Sequence, residues 1–138
     1  MFDQCLYFNT TALARRLERE WVAAFAPFGL SPPQAFTLRA VLDQPGLLQR
    51  ELSRSLAIAR PTATRALDFL ATKGFVERRG TAEDGREISI WPTAAAQHIR
   101  AGLNAASGAV SARLKKRLGA DRFATTVQQI RGVRSALD

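Results

Sequence analysis

The chain has little of what several functions need. It contains one cysteine, Cys5, and one histidine, His98, in 138 residues. A single cysteine rules out an internal disulfide, and one Cys with one His cannot supply the four ligands of a structural zinc site. No stretch approaches the roughly 20 apolar residues of a membrane span, and the N-terminus shows no basic segment followed by an apolar run. These absences lead to the expectation of a soluble, cytoplasmic protein without cofactors. No nucleophile–base pair, carboxylate dyad or metal cluster recurs at working spacing, so an enzyme is not expected.

What is present is basic. The formal net charge is +8, a balance that favours a polyanionic partner without fixing a fold. Its distribution is uneven. Residues 1–47 carry four basic and four acidic groups, residues 48–92 eight and six, and residues 93–138 eight and two. Most of the excess therefore lies in the last third of the chain.

Periodicity supplies the organisation. Leu13, Leu17, Trp21, Phe25 and Phe28 recur at helical spacing with charged residues between them, and Gly29 ends the helix. Ser31-Pro32-Pro33-Gln34 reads as a helix start with a capping box and proline in the first turn. That helix stops at Asp43-Gln44-Pro45-Gly46. A short helix over 48–56 turns Leu52 and Leu56 inward, Ala57-Ile58-Ala59 is a turn, and a helix from Pro61 to about Lys73 buries Ala63, Leu67 and Leu70 before Gly74. The period then changes to alternation, with Phe75–Arg79 and Glu87–Trp91 as strands of a hairpin across the turn-rich Gly80–Arg86. Thr93 caps a long helix striped by Ile99, Leu103, Ala106, Val110, Leu114 and Leu118, with His98 on one of its faces. After Gly119 a last helix carries Phe123, Val127, Ile130, Val133 and Leu137. Lys115-Lys116-Arg117 reads as cations complementing the dipole at a helix end.

Short helix, three-residue turn, longer helix and β-hairpin form the order of a winged helix-turn-helix. Over residues 10–93 the chain resembles, in register, the MarR (multiple antibiotic resistance regulator) family of bacterial winged-helix transcriptional regulators. The match is carried by Pro45 to Leu52, by Ala59-Arg60-Pro61-Thr62-Ala63-Thr64-Arg65, by Lys73 to Arg79, and by Asp84-Gly85-Arg86, which fits the family's Asp-x-Arg wing signature. The flanking helices agree in length and order. The resemblance implies a mainly α fold with a small β-hairpin wing. Residues 31–93 would form the DNA-binding part, and residues 1–30 and 94–138 the helical dimerisation part, of one unit spanning 1–138. It further implies a homodimer that binds double-stranded DNA at an inverted-repeat operator, represses transcription, and leaves DNA when a small aromatic effector binds.

On that footing the helix from Arg60 offers Arg60, Pro61, Thr62, Thr64 and Arg65 to the major groove, its first-turn N–H groups favouring phosphate. Arg86 suits a narrow minor groove, with Asp84 steadying it, and Arg78 and Arg79 are candidates for phosphate contacts. Phe8, Arg15, Phe36, Arg39 and Leu67 are the expected effector contacts, the two arginines being able to pair with a carboxylate.

Departures are informative. Leu48 and Ala59 stand where relatives carry a capping Thr or Ser, each loss typically costing about 1 kcal/mol. In relatives the hydroxyl at the position of Ala59 also meets phosphate, and Gly85 replaces a second wing arginine. Phe69, opposite the Leu67 face, is expected to pack on the wing or another helix. One branch of the family senses peroxide through an N-terminal cysteine. The sensing position falls near Tyr7, however, and Trp21 and Phe36 replace the supporting tyrosines, so Cys5 is expected to be structural or incidental. A peroxide sensor using Cys5 and a winged-helix module that binds protein remain the alternatives.

Overall fold

The structure is a computed structural model and describes residues 1–80 and 87–138. Helix α1 spans Leu6–Phe25, α2 Pro32–Asp43, α3 Gln49–Ser55, α4 Arg60–Thr72, α5 Ala94–Leu118 and α6 Ala120–Leu137; a 3-10 turn, Ala26–Phe28, follows α1. Three short antiparallel strands, β1 (Leu47–Leu48), β2 (Val76–Gly80) and β3 (Ile88–Pro92), form one sheet in the order β1-β3-β2. The fold is the expected winged helix-turn-helix with added helices at both ends.

Local chemistry sets most boundaries. Ser31 caps α2, its hydroxyl accepting from the Gln34 N–H at 3.4 Å while Gln34 accepts from the Ser31 N–H at 2.9 Å. Thr93 caps α5 through the Ala96 N–H and donates to the Gly74 carbonyl at 2.6 Å, tying that helix to the end of α4. The end of α4 is a Schellman closure: Gly74 has φ +79°, its N–H bonds the Ala71 carbonyl, and the Phe75 N–H bonds the Leu70 carbonyl. Phe75 is thereby spent on the cap, and β2 begins one residue later than alternation suggested.

Other elements also differ from the periodic reading. Helix α1 starts at Leu6, well before Leu13, because its first turns present exposed side chains with no stripe to detect. Leu47 and Leu48 form a third strand, pairing with Ile90 and Ser89, and the helix expected from 48 begins at Gln49. Strand β1 is admitted by Gly46, at φ +88°, where a Cβ would lie 2.8 Å from the Trp91 ring.

One buried cluster runs through the molecule. Phe25 of α1, Leu38 and Leu42 of α2, Leu52 of α3, Leu67 and Leu70 of α4, Ile90 of β3 and Leu103 of α5 all belong to it. Phe25, within the segment 1–30 expected to dimerise, lies inside this core with no exposed surface, so its burial is complete within one chain. Phe69 packs partly buried against the same cluster with Lys73 Nζ over its ring, in line with the packing reading.

Candidate nucleic-acid interface

Helix α3, the turn and α4 present one polar edge. The turn is another Schellman closure, with the Ala57 N–H on the Arg54 carbonyl and the Ile58 N–H on the Ser53 carbonyl. It forces Ala57 to φ +53°, a left-handed conformation unfavourable for a residue with a Cβ. Ala59 then enters α4 in the extended conformation of an N-cap, and among the described residues no side chain caps it. Arg60 and Pro61 occupy the first turn, and Arg60, Pro61 and Arg65 are exposed. Arg65 Nη2 reaches the half-buried Thr62 hydroxyl at 3.4 Å.

Thr64 is turned toward α3. Its hydroxyl donates to the Arg60 carbonyl at 3.0 Å and accepts from Gln49 Nε2 at 3.0 Å. Gln49 is thus a contributor that the motif reading missed; a polar residue opening a short helix gives no signal of its partner. Leu48 likewise lacks a capping hydroxyl, yet α3 keeps half a capping box, because Glu51 accepts from the Leu48 N–H at 3.0 Å.

The two hairpin-base arginines are engaged within the chain. Arg78, 28 % exposed, donates to Asp68 Oδ1 at 2.6 Å and to the Thr64 carbonyl at 3.4 Å, fastening β2 to α4. Arg79 lies over the Trp91 ring at 4.7 Å and pairs with Glu77 at 3.3 Å. Arg50, which sequence reasoning also passed over, pairs with Glu87 at 2.7 Å at the start of β3. Exposed pairs of this kind contribute about 0–1 kcal/mol each, so they orient side chains more than they stabilise. A groove of about 390 Å³ lies among Gln49, Arg50, Arg60, Thr64 and Glu87. Asp84 and Arg86 fall outside the described residues.

The expected effector residues do not converge on one site. Arg15 and Phe36 share a cleft of about 510 Å³ between α1 and α2, with Trp21 and Leu56 in its wall. Phe36 and Arg39 line a second cleft, of about 430 Å³, with Asp43, Arg100 and Asn104. Leu67 is fully buried in the core, and Phe8 packs on Phe2 with ring centroids 5.4 Å apart. Arg39 is half-buried and already bound: Nε donates to Asn104 Oδ1 at 2.9 Å, Nη1 to Ser107 Oγ at 3.1 Å, and the guanidinium lies 5.0 Å from the Phe36 ring centre. Burial pulls its pKa below the usual arginine value. Cys5 is exposed at the N-cap of α1, its Sγ accepting from the Phe8 N–H at 3.5 Å.

Among the described residues, no group of three or more His, Cys, Asp or Glu side chains is placed to hold a metal ion, and no helix is long and apolar enough to cross a membrane. Residues 28–87 match the MarR family model. An HTH-type transcriptional repressor of Mycobacterium tuberculosis is 31 % identical over 104 residues, covering 75 % of each chain. The fold is shared with the S. aureus MepR–DNA complex, at a TM-score of 0.85 and 18 % identity over 95 % of this chain and 96 % of that one. It is also shared with CouR, a transcriptional repressor bound to p-coumaroyl-CoA, at a TM-score of 0.87 and 21 % identity over 96 % and 94 % of the two chains. By its sequence and its winged helix-turn-helix, the chain belongs to the MarR family of transcriptional regulators.

Proposed function

We propose that the protein is a repressor that binds an inverted-repeat operator as a homodimer in the cytoplasm, with α4 in the major groove. The observation that carries this reading is the exposed N-terminal end of α4, where Arg60 and Pro61 project from an uncapped first turn and Arg65 from the second. Unsatisfied N–H groups and two guanidinium groups there match phosphate and the acceptor edge of guanine. Arg86, with Asp84, is assigned to the minor groove on motif position alone. Thr62 joins Arg65 at the base edges, while Thr64 orients the surface through Gln49 and the Arg60 carbonyl, and Arg78 and Arg79 orient it with their remaining donors toward phosphate.

The dimer reading rests on an uncovered apolar face. Helix α6 buries no residue within the chain, and Val127, Ile130, Val133 and Leu137 are 43 to 79 % exposed. Leu6, Leu13 and Val22 of α1 are exposed as well. A patch of this kind on a regulator marks an interface, and two-fold pairing through α1, α5 and α6 would place two α4 helices for two half-sites.

The effector reading rests on the Arg15–Phe36 cleft, which offers a cation beside an aromatic wall to a small aromatic carboxylate. CouR binds a ligand with an aromatic acyl group. Binding-site selection from a random duplex pool tests the operator and dimer reading. It should return an inverted repeat with half-site centres about 10–10.5 base pairs apart, and a pool left without consensus would reject it.

A further inference from the structure

Helix α2 is the connecting element of the fold. It packs against α4 and β3 of the winged part and also against α1 and α5. The seam between α2 and α5 has two chemistries. At Leu38, Leu42 and Leu103 it is apolar and fully buried, a contact without directional preference. One turn further along α5 it becomes polar. Ser107, 6 % exposed, accepts from Trp21 Nε1 of α1 at 3.0 Å and from Arg39 Nη1 of α2 at 3.1 Å, so three helices meet on one hydroxyl. Arg39 also grips Asn104 and stacks on Phe36. A second, looser pair, Arg100 with Asp43 at 3.8 Å, lies at the other end of the seam.

We infer that Arg39 is a positioning residue: its fork across Asn104 and Ser107 fixes the angle between the α2–α4 unit and the α1–α5 frame, and so sets the spacing between the two DNA-reading helices of a dimer. The last clause rests on the homodimeric DNA-binding reading; the latch itself does not. The physical reason is directionality. Burial of apolar surface is itself non-directional and packing leaves a range of crossing angles, whereas two hydrogen bonds from one planar guanidinium define both distance and angle. An arginine so engaged orients the frame and leaves ligand binding in the neighbouring cleft to Arg15.

The test uses the full chain with Arg39→Met, which keeps side-chain length and contact with Phe36 but donates no hydrogen bond. Arg39→Lys, which keeps the charge without the fork, and Ser107→Ala guard against a variant that fails to fold. Spin labels at the exposed positions Thr72 of α4 and Ala109 of α5, in a Cys5→Ser background diluted with unlabelled chain, report the angle without DNA. The inter-label distance distribution should broaden in Arg39→Met and Ser107→Ala, and partly recover in Arg39→Lys. On selected operators whose half-sites are moved apart or together by one or two base pairs, the parent's affinity penalty should shrink by about fivefold in Arg39→Met. An unchanged distance distribution in folded variants overturns the latch. Broadened distances with no inverted-repeat binding by the parent would leave the latch standing and overturn the dimeric DNA reading instead.

Discussion

Restoring a cap to α4 separates the stability of the recognition helix from its contact with DNA. Ala59 has φ −65° and ψ 148°, close to Ser31 (−76°, 163°) and Thr93 (−90°, 171°), whose hydroxyls cap α2 and α5. A serine at 59 therefore needs no backbone change. Pro61 has no N–H and the Ala63 N–H already bonds the Ala59 carbonyl at 3.1 Å, so the Thr62 N–H is the donor within reach of a side chain at 59. One hydrogen bond at an exposed helix start is worth about 1 kcal/mol within the 0.5–2 range of such caps. For a chain of this length that raises the melting temperature by about 4 °C. Ala59→Ser should also tighten binding to matched and scrambled operators alike, since a phosphate contact carries position and not sequence. Thermal unfolding at fixed protein concentration, with anisotropy titrations on both duplexes, measures the two effects. An unchanged or lowered melting point would refute the capping argument, and a gain confined to matched DNA would mean that the serine reads bases.

Other positions give equally definite expectations. Ala57→Gly should stabilise by about 1 kcal/mol, because it relieves a left-handed Cβ in the helix-turn-helix turn; a lower urea midpoint would contradict this. Gly46→Ala should destabilise by more than 1 kcal/mol, on the order of 2, from positive φ together with a Cβ pressed onto Trp91, read as a fall in the same midpoint. The Glu20 carboxyl is held below the usual range by the hydrogen bond from Arg16, aided by Arg113 and Arg117. Its contribution to stability is thus present above about pH 4.3 and fades as pH falls through the lowered value. An NMR titration should show the low value in the parent and its return upward in Arg16→Gln. Light scattering at micromolar concentration should give twice the 15.1 kDa mass of one chain; a single-chain mass would remove the α6 interface.

How much of this was legible in the residues follows from what each signal encodes. Ser31, Thr93, Gly74 and Gly119 announced helix ends because capping is local chemistry, and the structure puts boundaries at all four. The two-residue strand β1 was not legible, since pairing with Ile90 is a long-range event with no periodicity of its own. Within the candidate site, Arg60, Arg65 and the turn followed from the motif. The partners of Thr64, Arg78 and Arg39 did not, because an arginine pattern does not say whether its donors face solvent or Gln49, Asp68 and Ser107. Charge misdirects in the same way: the basic excess sits on the last third of the chain, away from α4.

The central claim is that the exposed first two turns of α4 read DNA. Its most direct test is one anisotropy titration series on the selected operator and a scrambled duplex, comparing the parent with Arg65→Ala. The parent should prefer the operator by at least about a thousandfold. Arg65→Ala should lose about 1–3 kcal/mol of that preference if its guanidinium meets a guanine edge, while keeping the parent's melting temperature. Equal operator preference in parent and variant, or a parent that binds both duplexes alike, would contradict the assignment of α4 as the reading helix.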